Sequence, residues 1–115
     1  MKKIYLLLLA ISFISCDNTI FGDSDWKYEV TGTAAIVNVT ISNKDEGISQ
    51  YNGVSVPWST TFTKDNMYTY NAFISAQNQG ASGSVTVKIY RNGGLVKSAT
   101  SDGANCIAIA TYKYE

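Results

Sequence analysis

Histidine is absent from this chain of 115 residues. That excludes Ser-His-Asp and Cys-His nucleophilic catalysis and most zinc sites. Paired carboxylates or a lysine base remain chemically open, but no spacing of Asp, Glu or Lys suggests either. Proline occurs once, and charged residues make up only 16% of the chain, nine basic against nine acidic. With no concentrated basic face, nucleic acid is not an expected partner. A repeated apolar pattern at helical spacing is also missing. The sequence therefore predicts neither an enzyme nor a cofactor or metal carrier.

The one long apolar run lies at the start. Met1-Lys2-Lys3 is basic, Ile4 to Ile14 is apolar, and Ser15-Cys16 follows. This is the layout of an export signal with a basic n-region, an apolar h-region and a small residue before cleavage. It is shorter than the roughly 20 residues a membrane-spanning helix needs. Phe13-Ile14-Ser15-Cys16 is similar to the lipobox of bacterial lipoproteins, although Phe13 replaces the usual Leu-like residue. The expectation is a lipoprotein signal peptide over 1–15, lipid attachment at Cys16, a tether over 16–24 and a folded domain over 25–115. The alternative is ordinary cleavage nearby, with Cys16 lost or left free. Acylation stabilises anchoring by burying many methylenes. The expected location is the bacterial cell envelope, lipid-anchored on the periplasmic face or the cell surface.

Cleavage before Cys16 leaves 100 residues, enough for one domain with one core. Lys2 and Lys3 leave with the signal, so seven basic residues face nine acidic ones, a net charge of −2. If Cys16 carries lipid, Cys106 has no partner within the chain. A small buried hydrophobe is then its expected role. A reactive thiol is the sharper alternative, but no Lys, Arg or His flanks it to lower its pKa.

The rest of the chain alternates with period two. Trp26, Tyr28 and Val30 form one apolar series, and Ala35, Val37, Val39 and Ile41 a second. Ile48 to Val56 and Ser59 to Lys64 are short strands. Met67 to Gln77 is the longest, with Tyr68, Tyr70, Ala72, Ile74 and Ala76 on one face. Val85, Val87 and Ile89 lead to Asn92-Gly93-Gly94, a tight hairpin turn where positive φ is wanted. Leu95 to Thr100 and Cys106 to Tyr112 complete the set. About seven strands separated by turns predict an all-β antiparallel sandwich, with an up-and-down barrel as the alternative. Pro57 falls between strands, where its missing N–H costs no ladder bond.

Four segments together carry a family resemblance. They are Lys27-Tyr28-Glu29-Val30-Thr31-Gly32, Val54-Ser55-Val56-Pro57-Trp58-Ser59, Ser75-Ala76-Gln77-Asn78, and Val85-Thr86-Val87-Lys88-Ile89 leading to Val96-Lys97. In order and spacing they resemble the MmpS family of transport accessory proteins over roughly residues 26 to 112. The resemblance implies an immunoglobulin-like sandwich on the outer side of a membrane, not an enzyme, partnering an RND-type permease in export of lipids or siderophores. Those relatives keep an N-terminal membrane helix where this chain has a lipoprotein-type signal. Many also carry a cysteine pair that aligns with Val87 and Ala110 here. The same alignment puts Cys106, Ala108 and Ala110 on one inward face. Ile107 and Ile109 opposite suggest a strand covered on both sides.

Several residues have two readings. Trp58, fixed by Pro57, is either an exposed aromatic anchor or a packing tryptophan, and packing is expected. Tyr51, Tyr68, Tyr70, Tyr90, Tyr112 and Tyr114 could line one binding face or serve as cross-strand stabilisers. Asp45-Glu46 supplies too few oxygens for calcium. Gly80-Ala81-Ser82-Gly83 lacks the ending of a phosphate loop. The leading functional expectation is a non-enzymatic accessory or adaptor lipoprotein beside an RND-type exporter. The alternative is a surface adhesion or glycan-binding lipoprotein. The homo-oligomeric state stays open.

Overall fold

A computed structural model describes residues 23–65 and 69–114. Cys16, Met67 and Tyr68 lie outside these residues. Eight strands are present: β1 (Asp23–Thr31), β2 (Ile36–Ser42), β3 (Ile48–Ser55), β4 (Trp58–Asp65), β5 (Tyr70–Asn78), β6 (Ser84–Arg91), β7 (Gly94–Asp102) and β8 (Ile107–Tyr114). They form two antiparallel sheets of four, a first in the order β4-β1-β6-β7 and a second in the order β3-β2-β5-β8. The architecture is a sandwich, and the separate sheets rule out the closed barrel.

The period-two pattern supplies the core. Trp26, Tyr28, Val30, Val85, Val87 and Ile89 from the first sheet face Val37, Val39, Ile41, Tyr70, Ala72, Ile74, Ala76, Ala108 and Ala110 from the second, all buried. Alternation therefore reads inward and outward correctly on β1, β2, β5 and β6. Just before β2 it slips: Ala34 is buried, while Ala35 is exposed. β1 starts at Asp23, two residues before the expected domain start, because Asp23 and Ser24 pair with Asp65 and Lys64 of β4. Ser24 is buried and its hydroxyl accepts from Arg91 Nε at 2.9 Å.

The hairpin between β6 and β7 turns at Asn92 (φ 51°) and Gly93 (φ 84°). Two successive positive φ values are what a two-residue hairpin loop requires to match strand twist. The turn is tied back to β1. Asn92 N–H donates to the Asp25 carbonyl at 2.7 Å, and Asp25 N–H donates to Asn92 Oδ1 at 2.8 Å.

Chain direction gives the sandwich two distinct ends. β1 begins and β8 finishes at the same end, since Trp26 of β1 packs its ring against Tyr70, Tyr112 and Tyr114. We call this the near end. The far end carries residues 32–35, 79–83 and 103–106, joined by Ala34 N–H to the Ser84 carbonyl and Gly103 N–H to the Gly83 carbonyl. Asn78 organises them. It is fully buried; its Nδ2 donates to the Ser82 and Gly103 carbonyls at 2.9 and 3.0 Å, and its Oδ1 accepts from Gly80 N–H.

Candidate binding surfaces of the sandwich

Pro57 and Trp58 connect the two sheets. Pro57, after a cis peptide bond, is exposed between β3 and β4. Trp58 opens β4 opposite Val30 and is half-buried on the core's rim. Its ring lies 5.1 Å from that of Tyr51 on β3. The pair closes one open side of the sandwich, where the edge strands of the two sheets face each other.

The tyrosines do not share one face. Tyr70 is buried between the sheets, and Tyr112 and Tyr114 are half-buried around Trp26. Tyr51 sits on the rim with Trp58, and Tyr90 stands on the outer surface of the first sheet. Tyr68 lies outside the described residues. The single tyrosine-lined face is thus overturned, because strand alternation and sheet assignment send these side chains to separate surfaces.

Burial pushes the Tyr70 phenol above its ordinary value, with the Tyr28 hydroxyl and the Glu46 charge adding to the rise and the Ser42 hydrogen bond opposing it. The Lys64 ammonium stands 5.4 Å from the Tyr70 ring and is held by Glu46 at 3.0 Å and the Lys44 carbonyl at 2.7 Å. Asp45-Glu46 therefore belongs to a structural turn. The turn is capped by Asn43 Oδ1, which accepts from Asp45 and Gly47 N–H groups. Among the described residues no group of three or more His, Cys, Asp or Glu could hold a metal ion.

The outer surface of the first sheet carries a shallow groove of about 480 Å³. Asp25, Lys27 and Glu29 of β1 form its floor, Thr61 and Thr63 of β4 one wall, and Tyr90 the other. Its groups are linked across strands. Tyr90 O–H donates to Glu29 Oε1 at 3.0 Å, Thr63 O–H donates to Asp25 Oδ1 at 2.9 Å, and Lys27 Nζ lies over the Tyr90 ring at 5.4 Å. Partial desolvation, then the Glu29 hydrogen bond, raises the Tyr90 phenol. The arrangement offers hydrogen bonds and one aromatic wall, but no nucleophile beside a base.

The outer surface of the second sheet carries exposed apolar side chains. Ile107 is 49% exposed and Ile109 is 53% exposed, so β8 is covered on one side only. The expectation of cover on both sides fails because no further layer packs there among the described residues. Ala108 and Ala110 do face inward, and Cys106 is a half-buried free cysteine packed against the core. Sequence alone missed this exposure. The Ile-Ala-Ile-Ala alternation held the signal, since only one of the two series could fill a sandwich core.

Among the described residues no helix is long and apolar enough to cross a membrane. No curated protein matches the sequence. A family model described as "Mycobacterium membrane protein" matches residues 10–113, nearly the whole chain, including the strands that build the sandwich. The chain belongs to this membrane protein family, MmpS, which is not known for enzymes.

Proposed function

We propose that this protein is a non-enzymatic accessory subunit of the cell envelope, held to a membrane through lipidated Cys16 and presenting its sandwich to an RND-type exporter of lipids or siderophores. The observation that carries this reading is the family match over residues 10–113, and the strand that follows the proposed anchor gives it a geometry. β1 enters at the near end, so with the anchor at Cys16 the far-end loops 32–35, 79–83 and 103–106 would stand away from the membrane. A link from Cys16 to Asp23 reaches at most roughly 25 Å when extended. The domain would be kept within reach of the membrane-proximal parts of a permease. Lipid at Cys16 would replace the retained helix of mycobacterial relatives as a tether.

The test is mild crosslinking and recovery from native envelopes, with the intact chain as bait and Cys16→Ser as control. Recovery of an RND-type permease, lost in the control, is the expected result. Recovery of no permease, with the protein open to protease on whole cells, would sink the accessory role.

The groove on the first sheet favours a second reading, glycan binding at the surface. Tyr90 supplies an aromatic wall, while Asp25 and Glu29 supply acceptors for sugar hydroxyls. Binding on a glycan array that is lost in Tyr90→Ala would move the assignment to that reading.

A further inference from the structure

Four strands form the edges of the sandwich: β4 and β7 of the first sheet, β3 and β8 of the second. An edge strand exposes main-chain groups that another chain can pair with, and natural edges are blunted by bulges, proline or inward charges. Three of the four are blunted here. β3 meets β2 with a register shift at Val37/Val39, where Gly53 N–H donates to Asn38 Oδ1. β4 follows Pro57 and turns Lys64 into the rim of the sandwich, its side chain only 15% exposed. β7 carries a register shift opposite Ile89/Tyr90 and an exposed Lys97.

β8 has none of these devices from Ile107 to Tyr112, and its one lysine, Lys113, stands at the end of the strand. Its register with β5 runs unbroken from Tyr70↔Tyr114 to Gln77↔Ile107. From Gly103 to Tyr112 the chain has no charge and no proline. The direction of its main-chain groups follows from one bond. Asn78 N–H donates to the Cys106 carbonyl at 2.9 Å, which makes Asn78 and Cys106 a hydrogen-bonded pair. In an antiparallel ladder such pairs alternate. The pairs at Ala108 and Ala110 therefore bond to β5, whereas the N–H and C=O groups of Ile107, Ile109 and Thr111 point off the sheet. The same three residues send their side chains to the outer surface, where both isoleucines are about half exposed.

We propose that the free edge of β8, from Ile107 to Thr111, receives an extended, uncharged segment of the protein's envelope partner as a fifth strand of the second sheet. The inference rests on the accessory reading above and supplies its docking element. Main-chain bonds at three alternate residues would give affinity, and the two isoleucines would select apolar side chains at alternate positions of the incoming segment. A second copy in the same membrane does not suit this edge. The twofold axis that pairs β8 antiparallel with itself lies across the strands. It would point the two Asp23 ends, and the anchors before them, in opposite directions.

The experiment is site-specific photocrosslinking in native envelopes. A photoreactive residue is placed singly in the full-length chain at Ile107, Ile109 and Thr111, and at Thr61 and Lys97 as comparison positions. The expected result is adducts from 107, 109 and 111 to one segment of a single envelope protein, at residues spaced two apart and running in the opposite direction. Ile109→Pro is the companion variant. It removes an N–H that points off the sheet and spares the β5 ladder, so the adduct from position 111 should be lost while the chain stays folded by circular dichroism. Adducts only from Thr61 or Lys97 would overturn the β8 edge and leave the accessory reading standing. Adducts from β8 to the same chain would replace the partner with a second copy and overturn the proposal. Absence of adducts from every position would overturn both the edge and the accessory reading.

Discussion

The hydroxyls of Tyr28 and Tyr70 meet at 3.2 Å across the core, one from β1 of the first sheet and one from β5 of the second. Ser42 Oγ joins them, 2.7 Å from Tyr28 and 3.0 Å from Tyr70. Phe73 N–H donates to Ser42 Oγ at 3.0 Å, and the Tyr70 hydroxyl lies 3.1 Å from each of the Ser42 and Asn43 carbonyls. Three polar side chains are thus buried with their partners, and they fix how the two sheets sit on each other. Buried polar groups of this kind cost little while satisfied and much once a partner is removed.

Tyr70→Phe and Tyr28→Phe should each destabilise the domain by about 1–3 kcal/mol, since each leaves buried partners short of a bond. The double variant should cost less than the sum of the two, because the hydroxyls share one network. Urea unfolding of the four species measures this, and strict additivity would refute the network.

Alkaline pH should expose the same cluster. Burial raises the Tyr70 phenol above the 10.0 of an open tyrosine. Above about pH 10 the unfolded chain releases that proton while the folded chain retains it. Stability from this group is full below pH 10 and is lost as pH rises toward the folded value. Tyr70→Phe should flatten the alkaline limb of a stability-against-pH curve relative to the parent. An equally steep limb in the variant would assign the loss to other groups.

Gly32 lies at φ 130°, and a Cβ there would run into the Ser84 carbonyl oxygen. Gly32→Ala should therefore combine strain with a clash against main chain and cost at least about 1–3 kcal/mol. Gly93, at φ 84°, would meet nothing within 4 Å, so Gly93→Ala carries strain alone and should cost less. Thermal midpoints of the two variants should fall in that order.

The family resemblance implies a cysteine pair at the positions that Val87 and Ala110 fill here. Both are buried and face inward, on strands that pack across the sandwich. The Val87→Cys, Ala110→Cys double variant should oxidise to an internal disulfide and gain about 2–4 kcal/mol over its reduced form. Free-thiol counts before and after oxidation check this. Persistently reduced thiols would separate this chain's core spacing from that of its relatives.

Much of this protein was legible in one dimension. Alternation placed Trp26, Tyr28, Val30, Val85, Val87 and Ile89 inward, because a strand facing a core must be apolar at every second residue. Asn92-Gly93 marked the hairpin, because few other pairs take two positive φ values cheaply. Absent histidine and balanced charge bounded the chemistry before any coordinates. Tertiary structure decided what alternation cannot see. It sent Tyr70 inward and Tyr90 outward, since the same residue type suits either surface. It joined Tyr28, Ser42 and Tyr70 across 42 residues of chain, a meeting set by how the sheets stack. It also left Ile107 and Ile109 uncovered at an edge. Local sequence reports that a strand is apolar on both sides, and only the order of strands and layers determines which side finds a neighbour.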